Sequence, residues 1–417
     1  MSGEVIVDTQ PPETSKACMP ANGLSTFSGE GPGMPDIVII GGGVTGVATA
    51  MNVARAGASV TLLEARQLAA MASGWTLGGV RQSGRHPAEL PIARAAVALW
   101  PTLTDDLGAD VEYRQKGNLR LARTPEEVSV IRDLVRTQHN KGLDLEFLAD
   151  NAAVRAVAPA ISPSIMAASF CPTDGHANPM KTVQAFAQAA RRAGAVIREG
   201  VNVTAIETRG AKVTGVVTSE GVIAADRVVV AAGMHAPALL RPLGLDLPYL
   251  PQIVTVLQTV PIAPVFEQVF GVANADCAGR QETDGRLRVT TGIGPWTGDL
   301  EGWRPEQLQP TAGLVAAMIR RIAAILPVLN DAGVAAIWGG LIDQTPDALP
   351  VIEASADVEG LTIAAGFSGH GFGIAPMVGR LVAELALGQS ISLPLDAFRL
   401  ARFAARAVPV APLMLHG

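Results

Sequence analysis

The stretch that decides the fold is Asp36-Ile-Val-Ile-Ile-Gly-Gly-Gly-Val-Thr-Gly46. After the aspartate, residues 37–40 form a short β-branched apolar run, which is typical of a parallel strand buried on both faces. Glycines follow at once, then helical composition over residues 44–56, and then a second apolar run over 58–64 that ends on an acid. This order predicts a βαβ unit.

The glycines of this unit satisfy G-x-G-x-x-G. Gly41 permits a tight turn, Gly43 lets the backbone approach a pyrophosphate, and Gly46 lets helix and strand pack closely. The start of the helix offers N–H groups and partial positive charge to phosphates. Glu64 follows about 20 residues later, where an acid takes the ribose hydroxyls. The context favours a dinucleotide site over a glycine-rich turn of another α/β fold.

Two further apolar strands are predicted to end directly at a glycine. Residues 227–232 run into Gly233, and residues 361–365 run into Gly366 before a predicted helix over 375–387. Between these junctions we predict a helix over 181–193, strands over 195–198 and 201–208, and a hairpin of 212–218 with 221–225. A helical segment with a proline-rich end spans about 87–165, and a segment richer in β-branched residues spans about 245–340. The pattern predicts an α/β fold with a discontinuous Rossmann-like domain and an inserted mixed α+β domain.

Composition excludes several classes of protein. The 417 residues are 48% hydrophobic and 17% charged, which excludes a disordered chain, and the net charge of −6 argues against binding nucleic acid. Three cysteines, Cys18, Cys171 and Cys277, form no C-x-x-C pair and fit reduced thiols in the cytoplasm. No metal-ligand spacing is present. Long uncharged stretches contain glycines and Pro376, so we expect no transmembrane segment, and the first residues do not read as a signal peptide.

Further glycine-rich segments indicate which dinucleotide binds. They are Met71-Ala-Ser-Gly-Trp-Thr-Leu-Gly-Gly-Val-Arg-Gln82, residues 228–233, and Gly366-Phe-Ser-Gly-His-Gly-Phe-Gly373. A nicotinamide enzyme does not need them. Over residues 35–390 the set resembles the D-amino-acid-oxidase-like FAD oxidoreductases. That family includes glycine and sarcosine oxidases and the flavoprotein subunits of opine, hydroxyproline and hydrogen-cyanide-forming dehydrogenases.

The resemblance implies an FAD cofactor and its binding residues. The first junction and Glu64 match the pyrophosphate and adenosine-ribose sites, and the last glycine-rich segment matches the one that approaches the flavin N1–C2=O edge. The implied cofactor-binding residues are Gly41, Gly43, Val44, Thr45, Gly46, Glu64, Ala65, Arg66, Ala72, Ser73, Gly74, Gly78, Gly79, Val80, Val203, Ala232, Gly233, Gly369, His370, Gly371, Phe372 and Gly373.

The resemblance also implies the reaction, in which an amine carbon gives a hydride to flavin N5 and water hydrolyses the imine. An amino-acid substrate needs a cation for its carboxylate, ideally an arginine. Glycine-oxidase-like members carry one near residues 342–343, where this sequence has none. Our candidates are instead Arg81, Arg85 and Arg288, and His370 is the candidate to bond the flavin or orient the amine.

One motif favours a multi-subunit enzyme. The sequence Asp343-Gln-Thr-Pro-Asp347 is similar to that of the flavoprotein subunit of multi-subunit sarcosine oxidase. His176 matches a histidine that touches a second flavin, FMN, at a subunit interface there, although a helix N-cap neighbourhood also explains it. No cysteine lies in the last glycine motif, so we expect no Cys–flavin link.

The main hypothesis is therefore a cytoplasmic catalytic β subunit of a hetero-oligomeric dehydrogenase, which a partner could attach to a membrane. Its substrate would be a secondary or N-substituted amino acid of the opine, hydroxyproline, sarcosine or glycine type. A stand-alone glycine or D-amino-acid oxidase that makes hydrogen peroxide, and a non-catalytic flavin-binding subunit, remain as alternatives.

The predicted domains follow from the same motifs. A disordered leader spans 1–34 and a C-terminal tail spans 396–417. The FAD-binding domain takes 35–86, 175–243 and 341–395, and the substrate or interaction domain takes 87–174 and 244–340.

Overall fold

Helices and strands alternate along the computed structural model, which describes residues 37–300 and 305–404. The helices are α1 Val44–Arg55, α2 Ala72–Trp75, α3 Leu90–Leu107, α4 Pro125–His139, α5 Asn151–Val157, α6 Pro179–Arg192, α7 Ala236–Leu240, α8 Ala312–Ala323 and α9 Ala375–Leu387. The strands are β1 Ile37–Ile40, β2 Val60–Glu64, β3 Gly79–Val80, β4 Asn118–Ala122, β5 Glu146–Leu148, β6 Ala167–Cys171, β7 Gly175–His176, β8 Val196–Glu199, β9 Val203–Arg209, β10 Lys212–Thr218, β11 Gly221–Ala224, β12 Arg227–Val230, β13 Gln252–Thr259, β14 Val269–Val272, β15 Cys277–Gln281, β16 Leu287–Pro295, β17 Val334–Ile342, β18 Val351–Ala354 and β19 Leu361–Ala365.

The first strand lies inside a six-stranded sheet of order β18-β19-β12-β1-β2-β8. The strands are parallel except β18, which is antiparallel to β19. Ile37 and Ile39 pack into one hydrophobic cluster, and Val38 and Ile40 pack into another on the opposite face. Because both faces are covered, the run needs an apolar residue at every position.

Different layers cover the two faces of this sheet. On one side α1, α3, α6 and α9 pack together, with Trp100 and Phe186 among their buried side chains. Gly379 of α9 lies against Ala48 of α1, where an added Cβ would come within 2.5 Å of the Ala48 Cβ. On the other side lie α7 and the antiparallel sheet β11-β10-β9. The predicted α/β fold is confirmed.

The inserted segments form a second sheet of order β17-β13-β16-β15-β14-β4-β6-β5. Its two stretches of chain meet where β4 pairs in parallel with β14. One face packs on α5 and α8, with Leu119, Phe270 and Met318 in the core. Val254, Val256 and Thr290 instead line a cavity.

The structure corrects one expectation within this sheet. Residues 87–165 are not uniformly helical, because β4 and β5 lie within them. The sequence of β4, Asn-Leu-Arg-Leu-Ala, favours a helix by composition, but all five residues are buried between β14 and β6. Pairing on both sides overrides the local preference.

Most predicted boundaries agree with the structure within two residues, and 212–218, 361–365 and 375–387 agree in full. The described residues belong to one compact unit, so the division into two domains stays a prediction. The predicted leader and residues 405–417 of the predicted tail lie outside the described residues. No described helix has both the length and the apolar character required to cross a membrane.

Candidate functional site

A cavity of about 790 Å³ begins at the carboxyl ends of β1, β2 and β12 and reaches the second sheet. Ligands of open α/β sheets bind at this edge. Most of the residues that the sequence nominates line this single cavity: Gly41, Gly43, Val44, Thr45, Glu64, Ala65, Arg66, Ala72, Ser73, Gly79, Arg81, Arg85, Val203, Ala232, Gly233, Gly369, His370, Gly371 and Phe372.

The turn between β1 and α1 has no room for side chains. Gly41 has a φ of 111°, and a Cβ there would lie 2.4 Å from the Ala231 carbonyl oxygen. A Cβ on Gly46 would lie 1.9 Å from the Gly41 carbonyl oxygen. These contacts hold the start of α1 close to β1. Gly43, the N-cap residue of α1, has no side chain to cap the helix, and it lines the cavity together with Val44 and Thr45.

Glu64, at the end of β2, is tied to the same turn. Its Oε2 accepts a hydrogen bond from the Gly42 N–H at 2.7 Å, and its Oε1 accepts one from the Arg66 N–H at 2.8 Å. Ser73 Oγ accepts one from the Val44 N–H at 2.9 Å. Each carboxylate oxygen keeps further acceptor capacity toward the cavity. The carboxylate is therefore oriented to accept a sugar hydroxyl.

Five of the nominated cofactor-binding residues are not among those that line the cavity: Gly46, Gly74, Gly78, Val80 and Gly373. A Cβ would lie 2.3 Å from the Ala69 oxygen at Gly74, 2.4 Å from the Ala177 oxygen at Gly78 and 2.8 Å from the Gly79 oxygen at Gly373. These glycines let one backbone segment pack on another. Gly79 differs, because a Cβ there would meet no protein atom within 4 Å.

Two arginines belong to a buried cluster of charges beside the cavity. Arg81 is 3% exposed, and its Nη1 donates a hydrogen bond to the Ser83 carbonyl oxygen at 2.7 Å. No described residue accepts a hydrogen bond from its Nη2. Burial, followed by the neighbouring Arg85 and Arg120, lowers the pKa of Arg81. Since three buried arginines face the two carboxylates Asp174 and Glu89, the cluster favours an added anion.

His370 joins the last glycine motif to this cluster. Its Nδ1 lies 2.8 Å from Arg85 Nη1, and its backbone oxygen accepts a hydrogen bond from the same nitrogen at 2.8 Å. Its Nε2 lies 3.1 Å from the Ala348 carbonyl oxygen. The structure therefore brings Arg81, Arg85 and His370 together, although 285 residues separate the last two.

The third arginine candidate lies elsewhere. Arg288 Nη1 donates a hydrogen bond to the Thr76 carbonyl oxygen at 2.9 Å, and its Nε lies 3.1 Å from Glu282 Oε1. Arg288 is not among the residues that line the cavity. Arg280 also donates a hydrogen bond to Glu282, and its Nη1 lies 3.2 Å from His176 Nδ1. This network ties the second sheet to the loop before Gly79.

Comparison with known proteins decides the family. The family described as DAO, FAD dependent oxidoreductase, matches residues 36–385. The chain belongs to this family. It is 28% identical to dimethylglycine dehydrogenase of Rattus norvegicus mitochondria, over 84% of this chain and 43% of the relative. It is 29% identical to sarcosine oxidase subunit beta of Arthrobacter sp., over 88% of this chain and 91% of the relative.

The fold agrees with that of a solved member of the family. Glycine oxidase of Geobacillus kaustophilus superposes with a TM-score of 0.82 at 26% identity, over 88% of this chain and 99% of that one. This chain spans less than half the length of the dimethylglycine dehydrogenases that it matches. The chain thus belongs to a family of FAD-dependent oxidoreductases, as the sequence predicts.

The cavity of this DAO-family chain fits FAD. The start of α1 at Gly43 and the close-packed Gly41–Gly46 turn suit a pyrophosphate, and Glu64 suits the ribose. The open space at Gly79 suits a flat ring that comes close to the backbone. The individual contacts between these residues and FAD stay predictions.

The Asp-x-Thr-Pro-Asp motif supports the last glycine segment. Asp343 accepts hydrogen bonds from the Gly366 N–H at 3.0 Å and the Phe367 N–H at 3.3 Å. Burial raises the pKa of Asp343 to about 6, against the lowering effect of these N–H groups. Thr345 Oγ1 donates a hydrogen bond to the Leu349 carbonyl oxygen at 2.7 Å, and Asp347 pairs with Arg402.

Sequence reasoning missed several residues of the site. Asp174 is fully buried and accepts a hydrogen bond from the Gln82 N–H at 2.8 Å, which fixes the loop after Arg81. Glu89 is buried beside His370. Neither lies in one of the glycine-rich segments, and an isolated acidic residue is usually exposed. His235 lines the cavity and follows Gly233 by two positions, which is a signal that could have found it.

Proposed function

We propose that this chain oxidises the C–N bond of a secondary or N-substituted amino acid as the catalytic β subunit of a hetero-oligomeric dehydrogenase. The observation that carries the proposal is Arg81, a buried guanidinium that lines the cofactor cavity with one nitrogen free of any described acceptor. A buried guanidinium N–H without an acceptor is costly, and a substrate carboxylate would provide the strongest hydrogen bond to it. A bound FAD supplies the hydride acceptor.

The remaining roles follow from the lining of the cavity. Arg81 and Arg85 bind the carboxylate of the substrate and orient its α carbon. The second sheet contributes uncharged residues, among them Val254, Val256 and Ala278. These side chains accommodate the apolar part of the amine and exclude water from the reacting carbon. His370 lies in the last glycine segment, and its contact with Arg85 at 2.8 Å holds that guanidinium in place beside the substrate.

The subunit role is supported by the relative named sarcosine oxidase subunit beta, of which the match covers 91%. An FMN at a subunit interface near His176 is the finer form of this proposal. His176 is 2% exposed, and burial, followed by Arg280 and Arg114, lowers its pKa well below the usual value. We further propose a cytoplasmic location, which fits the free thiols of Cys171 and Cys277.

The test is to express the chain with its neighbouring reading frames, purify it and record the visible spectrum. Sarcosine, proline, hydroxyproline, glycine and an opine are then added under anaerobic conditions. Bleaching of a flavin spectrum by one secondary amine supports the proposal and identifies the substrate class. Hydrogen peroxide from the purified chain alone would instead favour a glycine or D-amino-acid oxidase. A flavin that no amine bleaches would favour a non-catalytic subunit.

A further inference from the structure

Gln138 is a buried polar side chain that the proposed function does not use. Of the 15 residues of α4, all of which the structure describes, Ile131 and Gln138 are the buried ones. Gln138 is 4% exposed and is not among the residues that line the cavity. A polar side chain buried in this way is retained through its hydrogen bonds, so its partners show what it does.

Both ends of the Gln138 amide bind the backbone of the segment that carries the two arginines. Its Oε1 accepts a hydrogen bond from the Gly84 N–H at 2.9 Å, and its Nε2 donates one to the Arg85 carbonyl oxygen at 3.3 Å. In this orientation the amide oxygen faces a donor and the amide nitrogen faces an acceptor. The side chain therefore holds the backbone on both sides of Arg85.

This segment is a buried turn, residues 81–85, between β3 and α3. Gly84 has a φ of 68°, and a Cβ there would lie 2.8 Å from Arg120 Nη2. The turn thus depends on a backbone conformation that favours glycine. Because buried N–H and C=O groups outside helices and sheets still need partners, side chains from elsewhere in the chain must supply them.

Asp174 holds the first half of the turn in a similar way. It accepts hydrogen bonds from the Gln82 N–H at 2.8 Å and the Ser83 N–H at 3.2 Å. The Ser83 carbonyl oxygen in turn accepts from Arg81 Nη1 at 2.7 Å, and the Arg81 carbonyl oxygen accepts from Arg85 Nε at 3.3 Å. Since each guanidinium is bound to a carbonyl of the turn, the backbone sets where both guanidiniums lie.

We propose that Gln138 is a positioning residue that holds this turn so that Arg81 meets the carboxylate of the substrate. The inference rests on the proposed function, because it takes Arg81 as the residue that binds the carboxylate. A guanidinium–carboxylate pair depends on the alignment of a planar fork, so displacement of the fork weakens binding even when the charge is kept. Gln138 acts from outside the cavity, on a helix that packs on β4 and β6 of the second sheet.

The experiment is a double-mutant cycle read by benzoate binding to the holoenzyme. Benzoate offers a carboxylate without an amine, so its Kd, followed through the visible spectrum of the flavin, reports the carboxylate site without turnover. Gln138→Met keeps the length and the neutral charge of the side chain but removes both hydrogen bonds. We expect the Kd to rise about tenfold. In an Arg81→Lys background the same change should alter the Kd less than about twofold, because Gln138 acts through Arg81.

The matched control is Gln281→Met. Gln281 lies on β15, is 5% exposed and does not line the cavity. It holds another loop through both ends of its amide, since its Oε1 accepts from the Val265 N–H at 2.8 Å and its Nε2 donates to the Ala263 carbonyl oxygen at 3.0 Å. Both glutamine variants should lower the midpoint of urea denaturation, but the benzoate Kd should change in Gln138→Met and stay constant in Gln281→Met.

A purely structural role for Gln138 gives a different result. It predicts lower stability with an unchanged Kd, or the same weakening in both Arg81 backgrounds, and either outcome overturns the inference. Equal weakening in Gln281→Met also overturns it. If Gln138→Met yields no folded holoenzyme, the cycle is run with Gln138→Asn, which withdraws the same amide by one methylene. A loss of about threefold that disappears with Arg81→Lys is then expected.

Benzoate binding also separates this inference from the proposed function. If no amine bleaches the wild-type flavin but the cycle shows coupling, the proposed reaction is wrong and the role of Gln138 stands. If a secondary amine bleaches the flavin, and Arg81→Lys weakens benzoate binding while Gln138→Met does not, the proposed function stands and the inference about Gln138 is wrong.

Discussion

The glycine turn and the arginine cluster line the same cavity, but they present different groups to it. The turn offers backbone, because added Cβ atoms at Gly41 and Gly46 would overlap carbonyl oxygens. The cluster offers charged side chains, of which Arg81 and Arg85 are almost fully buried. The turn comes from one continuous segment, 37–64, whereas the cluster combines residues from 81–89, 120, 174 and 370. A site built from backbone can therefore be predicted from one short segment of sequence, whereas this cluster of charged side chains forms only when the tertiary fold brings distant residues together.

The largest effect is expected at the turn. Gly46→Ala places a Cβ 1.9 Å from the Gly41 carbonyl oxygen, where only backbone movement relieves the overlap. We expect a loss of about 3 kcal/mol in the free energy of unfolding and purification without flavin. The measurements are flavin absorbance per chain and urea denaturation.

Gly313→Ala is the control for this change. Gly313 lies on α8, and a Cβ there would meet no protein atom within 4 Å. We expect a gain of about 0.5–1 kcal/mol, since alanine suits a helix better than glycine. A fully flavinated Gly46→Ala protein would contradict the role of the turn.

The second largest effect is expected in the cluster. Arg81→Lys keeps a positive charge but loses the planar fork that matches a carboxylate. We expect the KM for the amine to rise about 100-fold, or about 3 kcal/mol, while saturating substrate still bleaches the flavin. The measurement is anaerobic flavin reduction against substrate concentration.

Arg288→Lys tests whether Arg288, and not Arg81, binds the substrate carboxylate. Arg288 is held by Thr76 and Glu282, so we expect its replacement to change KM less than about threefold. A larger effect at Arg288 than at Arg81 would move the carboxylate site to the second sheet.

The sequence predicted the parts of the site that depend on spacing. Glu64 could be named because it ends the strand after the glycine turn. Glu89 could not, because its importance comes from contact with His370, 281 positions away. Arg288 was a candidate for the substrate carboxylate, but the sequence does not show that a backbone carbonyl and Glu282 engage its side chain. The expectation for residues 118–122 was wrong because pairing with β14 and β6 outweighs composition.

The third prediction concerns pH and the support of the last glycine segment. The pKa of Asp343 is about 6 in the native state and about 4 in an unfolded chain. The native state therefore binds this proton more tightly, and stability falls as pH rises from about 4 to about 6. We expect wild type to lose about 2–3 kcal/mol relative to Asp343→Asn over this range. Urea denaturation of both holoenzymes with excess FAD measures the difference, and a constant difference would contradict it.

The smallest effect is expected at Glu64, which is the charged side chain bonded to the backbone of the glycine turn. Glu64→Gln replaces one of the two acceptor oxygens with an NH2 donor, which would then face either the Gly42 or the Arg66 N–H group. We expect about tenfold weaker FAD binding, measured by fluorescence titration of the flavin-free chain. Glu199→Gln is the control, because Glu199 ends the neighbouring strand β8 and accepts from the Leu68 N–H, but does not line the cavity. A modest loss means that backbone close to the pyrophosphate carries most of the affinity. Complete loss in Glu64→Gln alone would mean that one side chain carries it, as in the arginine cluster, and the contrast between the two regions would fail.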